Sequence, residues 1–156
     1  MAKYNIQVAK GSQKCYLGEG PHWNADKQEI LYVDIFGKAI HRFVPSTGES
    51  AKVTIGAVRF SFFIFLTLDY SSYVEILFFQ HEWIDAGPVS VVAPVEGYSD
   101  KYLVTIERDV QIMEWDGKSA TPSSLKKLYT VDDHCKTNRI NDGKCDAKGR
   151  LWAGMS

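Results

Sequence analysis

The sequence predicts an all-β fold built from antiparallel hairpins, and three observations support this. Segments 29–35, 102–106 and 110–115 are short and rich in β-branched and aromatic residues, and the last alternates apolar and polar side chains as a half-buried strand does. Clusters of turn-forming residues punctuate the chain at 45–48, 115–117, 141–143 and 147–149. No window of about a dozen residues combines a helical apolar period with capping residues.

A weak repeat predicts how the hairpins are organised. Leu31, Leu103 and Leu151 each lie in a short strand that follows a polar turn, and they are separated by 72 and 48 residues. Removing the 23 residues of segment 58–80 shortens the first separation to 49, and both spacings then match the roughly 40–50 residues of a β-propeller blade. The remaining 133 residues amount to fewer than three blades, whereas propellers have about 4–8.

Composition limits the classes of function. A chain of 156 residues with 45% hydrophobic and 24% charged residues is typical of one soluble globular domain. The net charge of -1, without a basic stripe, argues against binding to nucleic acid or to an anionic membrane. Three cysteines without metal-ligand spacing argue against a disulfide framework and a zinc site, and the N-terminus has no apolar signal core. We therefore expect a cytoplasmic protein.

Segment 58–80 differs from the rest of the chain in composition. It holds eight of the twenty aromatic residues, including six of the eight phenylalanines. Its longest uncharged run is nine residues, shorter than the roughly 17–25 of a membrane-spanning helix. A buried β element or a foreign insertion is therefore favoured over a membrane span. We hypothesise a translated intron, because codons for its two ends can spell a splice donor and a splice acceptor.

Two stretches contain candidate site residues. Glu19 lies between Gly18 and Gly20, and glycines let the backbone approach a ligand closely, so its carboxylate could bind a hard cation such as calcium or magnesium. The alternative is a surface glutamate in a turn. Arg139 and Asn141 alternate, so on a strand they share one face and offer donors to the hydroxyls or carboxylate of a small ligand. The alternative is that 141–143 is a hairpin turn.

The remaining reactive side chains give weaker indications. Cys145 follows Lys144, which could lower the pKa of the thiol, but no nucleophile motif surrounds it and a small buried thiol is favoured. The histidines are scattered, with no pair at helical ligand spacing, and are predicted to be surface or packing residues: His22, His41, His81 and His134.

Four motifs in order resemble the regucalcin (senescence marker protein)/gluconolactonase family. They lie at 18–23, 30–35, 138–146 and 149–154. The run at 107–117 looks most like the insect branch of that family, which includes the luciferin-regenerating enzyme. The resemblance covers about residues 14–57 and 88–156, and it leaves 58–80 without a counterpart.

The resemblance implies a six-bladed β-propeller with one divalent cation in its central channel. It implies hydrolysis of sugar lactones such as gluconolactone, with calcium, zinc, magnesium or manganese as the cation that polarises the lactone carbonyl. Matched residue by residue, Glu19 corresponds to a metal ligand of the family. Arg139 and Asn141 correspond to substrate-binding residues.

The resemblance also implies that some of the site lies elsewhere. The other family ligands are an asparagine and an aspartate of later blades, beyond Ser156, and the aspartate is the presumed general base. A family substrate-contacting glutamate shortly after 149–154 is also missing. We therefore expect residues 1–156 to be the N-terminal part of one propeller domain, with no catalytic residue of its own. Two hypotheses remain: part of a metal-dependent lactonase, or a truncated non-catalytic variant that binds calcium weakly or binds nothing.

Overall fold

The fold consists of antiparallel strands in chain order. The structure is a computed structural model that describes residues 5–56 and 86–156, so the predicted insertion at 58–80 lies outside the described residues. Those residues form ten strands and no helix. The strands are β1 (Gly18–Asn24), β2 (Glu29–Asp34), β3 (Ala39–Val44), β4 (Glu49–Thr54), β5 (Val89–Pro94), β6 (Lys101–Ile106), β7 (Asp109–Glu114), β8 (Ser124–Thr130), β9 (Ile140–Cys145) and β10 (Leu151–Met155).

The strands form three separate sheets. Two are four-stranded meanders, β1-β2-β3-β4 and β5-β6-β7-β8, and the third pairs β9 with β10. Leu31, Leu103 and Leu151 all lie on the second strand of their sheet, which confirms the repeat inferred from their spacing. The described residues therefore contain two four-stranded blades and the first two strands of another, and the prediction of an all-β chain with fewer than three blades is confirmed.

Three of the four predicted turns connect strands, and side-chain hydrogen bonds shape two of them. Asp116 accepts hydrogen bonds from the backbone of Lys118 and Ser119 at 2.8 and 2.7 Å. Asp146 accepts them from the backbone of Lys148 and Arg150 at 2.9 and 3.0 Å. The Ser119 hydroxyl also donates to Asp116 at 2.7 Å, and together with the backbone contacts it holds the pKa of that carboxyl at about 2. The backbone of Arg150, with the side chains of Trp152 and Arg150, holds the pKa of Asp146 at about 2. Each aspartate thus satisfies backbone donors that the tight turn leaves without strand partners.

The alternative that 141–143 is a hairpin turn is wrong, because these residues lie inside β9. Gly143 has no positive φ. A Cβ atom there would lie 2.9 Å from the Trp152 carbonyl oxygen and 3.2 Å from Cγ2 of Val91. Asn-Asp-Gly is a typical turn sequence, but here the glycine is required by close packing between β9, β10 and β5.

The first two sheets pack against each other through one apolar cluster. Tyr102 and Trp115 are the largest side chains in it, with ring centroids 6.0 Å apart. The cluster joins side chains from the two sheets and their flanking residues: Leu31, Val33, Ile35, Ile40, Val53, Ile55, Val89, Val92, Tyr102, Val104, Ile106, Met113 and Trp115. Burial of this surface at about 25 cal/mol per Å² fixes the two sheets face to face.

The first strands of the three sheets, β1, β5 and β9, lie side by side. A Cβ atom on Gly20 would lie 3.5 Å from the Ser90 carbonyl oxygen. The Ser90 hydroxyl donates a hydrogen bond to the Ile140 carbonyl, and Val91 packs on Gly143 further along. The contacts of Ser90 and Val91 advance in the same direction along β5 and β9, and Gly20 of β1 meets β5 at Ser90.

In the part of the chain that the structure describes, no helix has the length and apolar character needed to cross a bilayer.

Candidate functional site

A cleft of about 390 Å³ opens where β1, β5 and β9 meet. The polar side chains on its walls come from the two outer strands of the three, β1 and β9, and β5 supplies an apolar floor. The lining residues that matter to its chemistry are Glu19, His22, Asp142, Lys144 and Cys145.

A β-bulge places Glu19 and His22 in the same cleft. Residues three apart on a regular strand point to opposite faces, but the pairing of β1 with β2 shifts register between these two residues. Gly20, within the shift, has a φ of 57°, a left-handed conformation that glycine adopts without strain. The Gly18-Glu19-Gly20 sequence is therefore a bulge in a strand and not a turn, although Glu19 is an exposed residue, as that alternative predicted.

The cleft combines acidic and basic groups. Glu19 is exposed, and no hydrogen bond or ion pair within residues 5–56 and 86–156 engages its carboxylate. Burial, with a smaller effect of Lys144, lowers the pKa of His22 and favours its neutral imidazole at pH 7. Glu19 and Asp142 then give the cleft one more negative than positive charge. A free carboxylate oxygen in such a cleft fits a hard divalent cation.

His22, Asp142 and Lys144 were missed as site residues from the sequence. His22 was assigned to surface or packing, and Asp142 to a turn or to the flank of the Arg139–Asn141 pair. Asp142 and Lys144 could in part have been found, because they alternate in the sequence and alternate residues of a strand share one face. The bulge that turns His22 into the cleft has no signature beyond Gly20 itself.

Arg139 directly precedes β9, Asn141 is the second residue of that strand, and their side chains contact each other. The Arg139 guanidinium donates a hydrogen bond to Oδ1 of Asn141 at 2.8 Å, and a second to the Ile140 carbonyl at 3.2 Å. The backbone of Arg139 also exchanges hydrogen bonds with that of Ser156 at 2.9 and 3.0 Å. The structure thus brings the two predicted substrate-binding side chains together at the end of β9 where the cleft begins, although neither lines the cleft.

The structure also assembles a second group of polar side chains, near the N-terminal segment. Ligand atoms of Cys15, Asp34 and His41 all lie within 4.8 Å of one another. The pKa of the Cys15 thiol is raised by burial and by Asp34, and that of His41 is lowered mainly by burial. Burial opposes ionisation of Asp34, but backbone N–H groups of Leu17, Tyr16 and Gly37 donate to it and lower its pKa.

No motif in the sequence indicates this group, because its members lie 19 and 7 residues apart and share no metal-ligand spacing. His41 was predicted to be a surface or packing residue, and it does pack, stacked on Tyr32 with centroids 4.9 Å apart. His81 lies outside the described residues. Burial and Asp146 raise the pKa of Cys145, so the alternative of a lowered-pKa thiol there is wrong.

Consecutive four-stranded meanders whose first strands border a shared cleft define the β-propeller class of proteins. The chain belongs to the SMP-30/Gluconolactonase/LRE-like region family, whose model matches residues 17–156. It is 30% identical to human regucalcin over 142 residues, and 29% identical to bovine regucalcin over the same length. It is also 26% identical over 149 residues to the putative sugar lactone lactonase YvrE of Bacillus subtilis.

Solved structures agree with this assignment. A luciferin-regenerating enzyme superposes with a TM-score of 0.71 at 30% identity, over 93% of this chain and 38% of that one. A calcium-binding regucalcin from Agrobacterium tumefaciens superposes with a TM-score of 0.59 at 16% identity, which supports the fold alone. The chain covers 35% of the length of the human and bovine regucalcins and 38% of the Bacillus protein. It therefore spans little more than a third of its relatives.

Proposed function

We propose that this chain forms the N-terminal blades of a divalent-metal-dependent hydrolase of sugar lactones. The observation that carries the proposal is the Glu19 carboxylate, which the β1 bulge presents in the cleft without a protein partner in the described residues. The family assignment supports the reaction class, since a relative is a putative sugar lactone lactonase. The exposed Glu19 carboxylate supports a hard divalent cation, because such ions prefer anionic oxygen ligands.

Glu19 would hold the cation through one carboxylate oxygen. Calcium or zinc is the expected ion, and magnesium or manganese could also bind an oxygen ligand of this kind. When bound, the cation supplies Lewis-acid polarisation of the lactone carbonyl. One carboxylate is too few ligands to select a cation, so further ligands and the general base would come from other blades.

Arg139 and Asn141 would bind the sugar. The hydrogen bond from the guanidinium to Oδ1 of Asn141 fixes the orientation of both groups. It leaves the Asn141 amide N–H groups and the remaining guanidinium N–H groups to donate to ring hydroxyls. Such contacts position the lactone but do not touch the cation.

The test uses the full-length protein that carries these blades. Glu19→Gln keeps the shape of the side chain and removes its charge, so cation affinity measured by calorimetry should fall about tenfold or more. Gluconolactone hydrolysis, followed by acid release, should then need more cation. Glu96→Gln is the matched control, because Glu96 is exposed in the turn after β5 and lies outside the cleft. Full activity of Glu19→Gln at limiting cation would remove Glu19 from the metal site.

Arg139→Ala and Asn141→Ala separate the second role. Both should raise KM for the lactone and leave cation affinity unchanged, since they remove contacts to the sugar. If either variant weakens cation binding as much as Glu19→Gln does, the division of roles is wrong.

A second candidate is a non-catalytic product of the same gene family. The observation that favours it is that, among the described residues, Glu19 belongs to no cluster of three or more His, Cys, Asp or Glu side chains with ligand atoms close together. We also propose that 58–80 is foreign to the domain and is a translated intron. Transcripts should then include a form without these codons, bounded by GT and AG. If every transcript carries the segment, and GT and AG are absent from its ends, the intron proposal is wrong.

A further inference from the structure

We propose that Cys15, Asp34 and His41 form a zinc-binding site that is separate from the cleft. A thiolate, a carboxylate and an imidazole are ligands that zinc takes together in proteins. Within the described residues, this is the one place where three such side chains bring ligand atoms within 4.8 Å of one another.

The spacing of the donor atoms fits a tetrahedral ion. Zinc–sulfur and zinc–nitrogen bonds of about 2.3 and 2.0 Å place tetrahedral ligand atoms about 3.5 Å apart. Sγ of Cys15 and Nε2 of His41 are separated by 3.7 Å. An ion between Cys15 and His41 therefore needs little adjustment of these two side chains, whereas the Asp34 oxygen, within 4.8 Å of both, would have to approach by up to about 1 Å. A water molecule would complete the coordination.

The backbone holds Asp34 in place and leaves it one acceptor position. Oδ1 accepts hydrogen bonds from the N–H groups of Leu17 and Gly37, both at 3.0 Å, which use its two lone pairs. Oδ2 accepts one, from Tyr16 at 3.0 Å, and so keeps a lone pair for an ion. A Cβ atom on Gly37 would collide with this carboxylate, so glycine there is part of its support.

His41 is the second, independent indication of a ligand. It is 1% exposed, and its Nδ1 atom has no hydrogen-bond partner in the described part of the chain. Its Nε2 meets only the weakly polar thiol of Cys15. An ion bound through Nε2 would give this nitrogen a strong partner, whereas Nδ1 would stay without one. An ion is therefore indicated by the weak contact at Nε2, on the side of Cys15.

The site would attach the N-terminal segment to the first blade. Residues 5–14 are exposed, and their contacts with the blade are few, such as the 3.3 Å hydrogen bond from Gln13 to Ser50. Cys15 comes from this segment, whereas Asp34 and His41 come from β2 and β3. A shared ion would therefore tie the segment to two strands at once.

Cobalt(II) and zinc titrations of this chain test the proposal. Cobalt should bind one equivalent and give the thiolate charge-transfer and tetrahedral d–d absorption, which zinc then displaces. Cys15→Ser should abolish the charge-transfer band and weaken binding about tenfold or more. Cys145→Ser is the control for a site in the cleft. Cys135→Ser is the control for a partly exposed thiol next to the His134–Asp132 pair. Both variants should keep the band.

A measurement on the unmodified chain avoids dependence on variant folding. All three cysteines are free and partly exposed, so alkylation with mass spectrometry reports each thiol separately. Zinc should slow modification of Cys15 about tenfold relative to Cys135 and Cys145. Equal protection of all three thiols, a band that survives Cys15→Ser, or a band lost in Cys145→Ser would each overturn the proposal.

Discussion

Replacing Arg42 by methionine tests how the first sheet accommodates a buried carboxylate. Glu29 is 0% exposed and accepts hydrogen bonds from Nε of Arg42 at 2.5 Å and from Asn24 at 3.1 Å. Arg42 also binds Glu49 at 2.9 Å. Burial would lower the pKa of Arg42, but its hydrogen bonds to the two glutamates outweigh burial and raise it.

The expected loss of stability is large, because the variant leaves one charge buried without its partner. Breaking a buried ion pair on one side costs about 3–5 kcal/mol, a substantial part of the roughly 5–15 kcal/mol of a typical domain. Urea unfolding followed by tryptophan fluorescence measures the change. Glu29→Gln combined with Arg42→Met should recover most of the loss, since the neutral amide still contacts Asn24.

Glu49→Gln serves as the control, because it removes the half-exposed partner of Arg42 and keeps the buried pair. It should change stability little. The reasoning fails if Arg42→Met costs less than about 1 kcal/mol, or if the double variant is as unstable as the single one.

Three further predictions concern the rest of the fold. Asp146 has a folded-state pKa of about 2, below the ordinary 3.8. Its contribution to stability should therefore be complete above about pH 4 and lost as the pH falls towards 2. The stability of Asp146→Asn, measured by urea unfolding, should depend less on pH over that range. Gly143→Ala should cost about 1–3 kcal/mol by overpacking against Val91 and Trp152, whereas Gly154→Ala, with nothing within 4 Å, should cost much less in the same measurement. The chain should also self-associate in size-exclusion chromatography, because one edge of β10, beside an exposed Trp152, has no strand partner among residues 5–56 and 86–156. A sharp monomer peak with cooperative unfolding would contradict this.

The strands were predictable where local pattern and packing agree. Segments 29–35, 102–106 and 110–115 became β2, β6 and β7 because their apolar residues alternate or are β-branched, and the same residues fill the core. The repeat was predictable because each blade places a leucine on its second strand. At 141–143, Asn-Asp-Gly satisfies a local turn preference, and contacts from two other strands override it.

The site was predictable in part. Glu19, Arg139 and Asn141 could be proposed because their neighbours form motifs within a few residues. His22 could not, since its direction depends on a register shift against β2. The group around Asp34 depends on pairing of β2 with β3 and on backbone bonds from residues 16 and 17, which no sequence spacing reveals.

The side-by-side arrangement of β1, β5 and β9 has a consequence for how the width of the cleft can change. These strands belong to separate sheets, so no ladder of backbone bonds fixes the distance between the cleft walls. That distance is instead set by the volumes of Gly20, Ser90, Val91 and Gly143. A single substitution among them can widen or narrow the cleft while every blade keeps its own hydrogen bonding. Evolution can therefore change what the cleft accommodates through side-chain size alone, without any redesign of the scaffold.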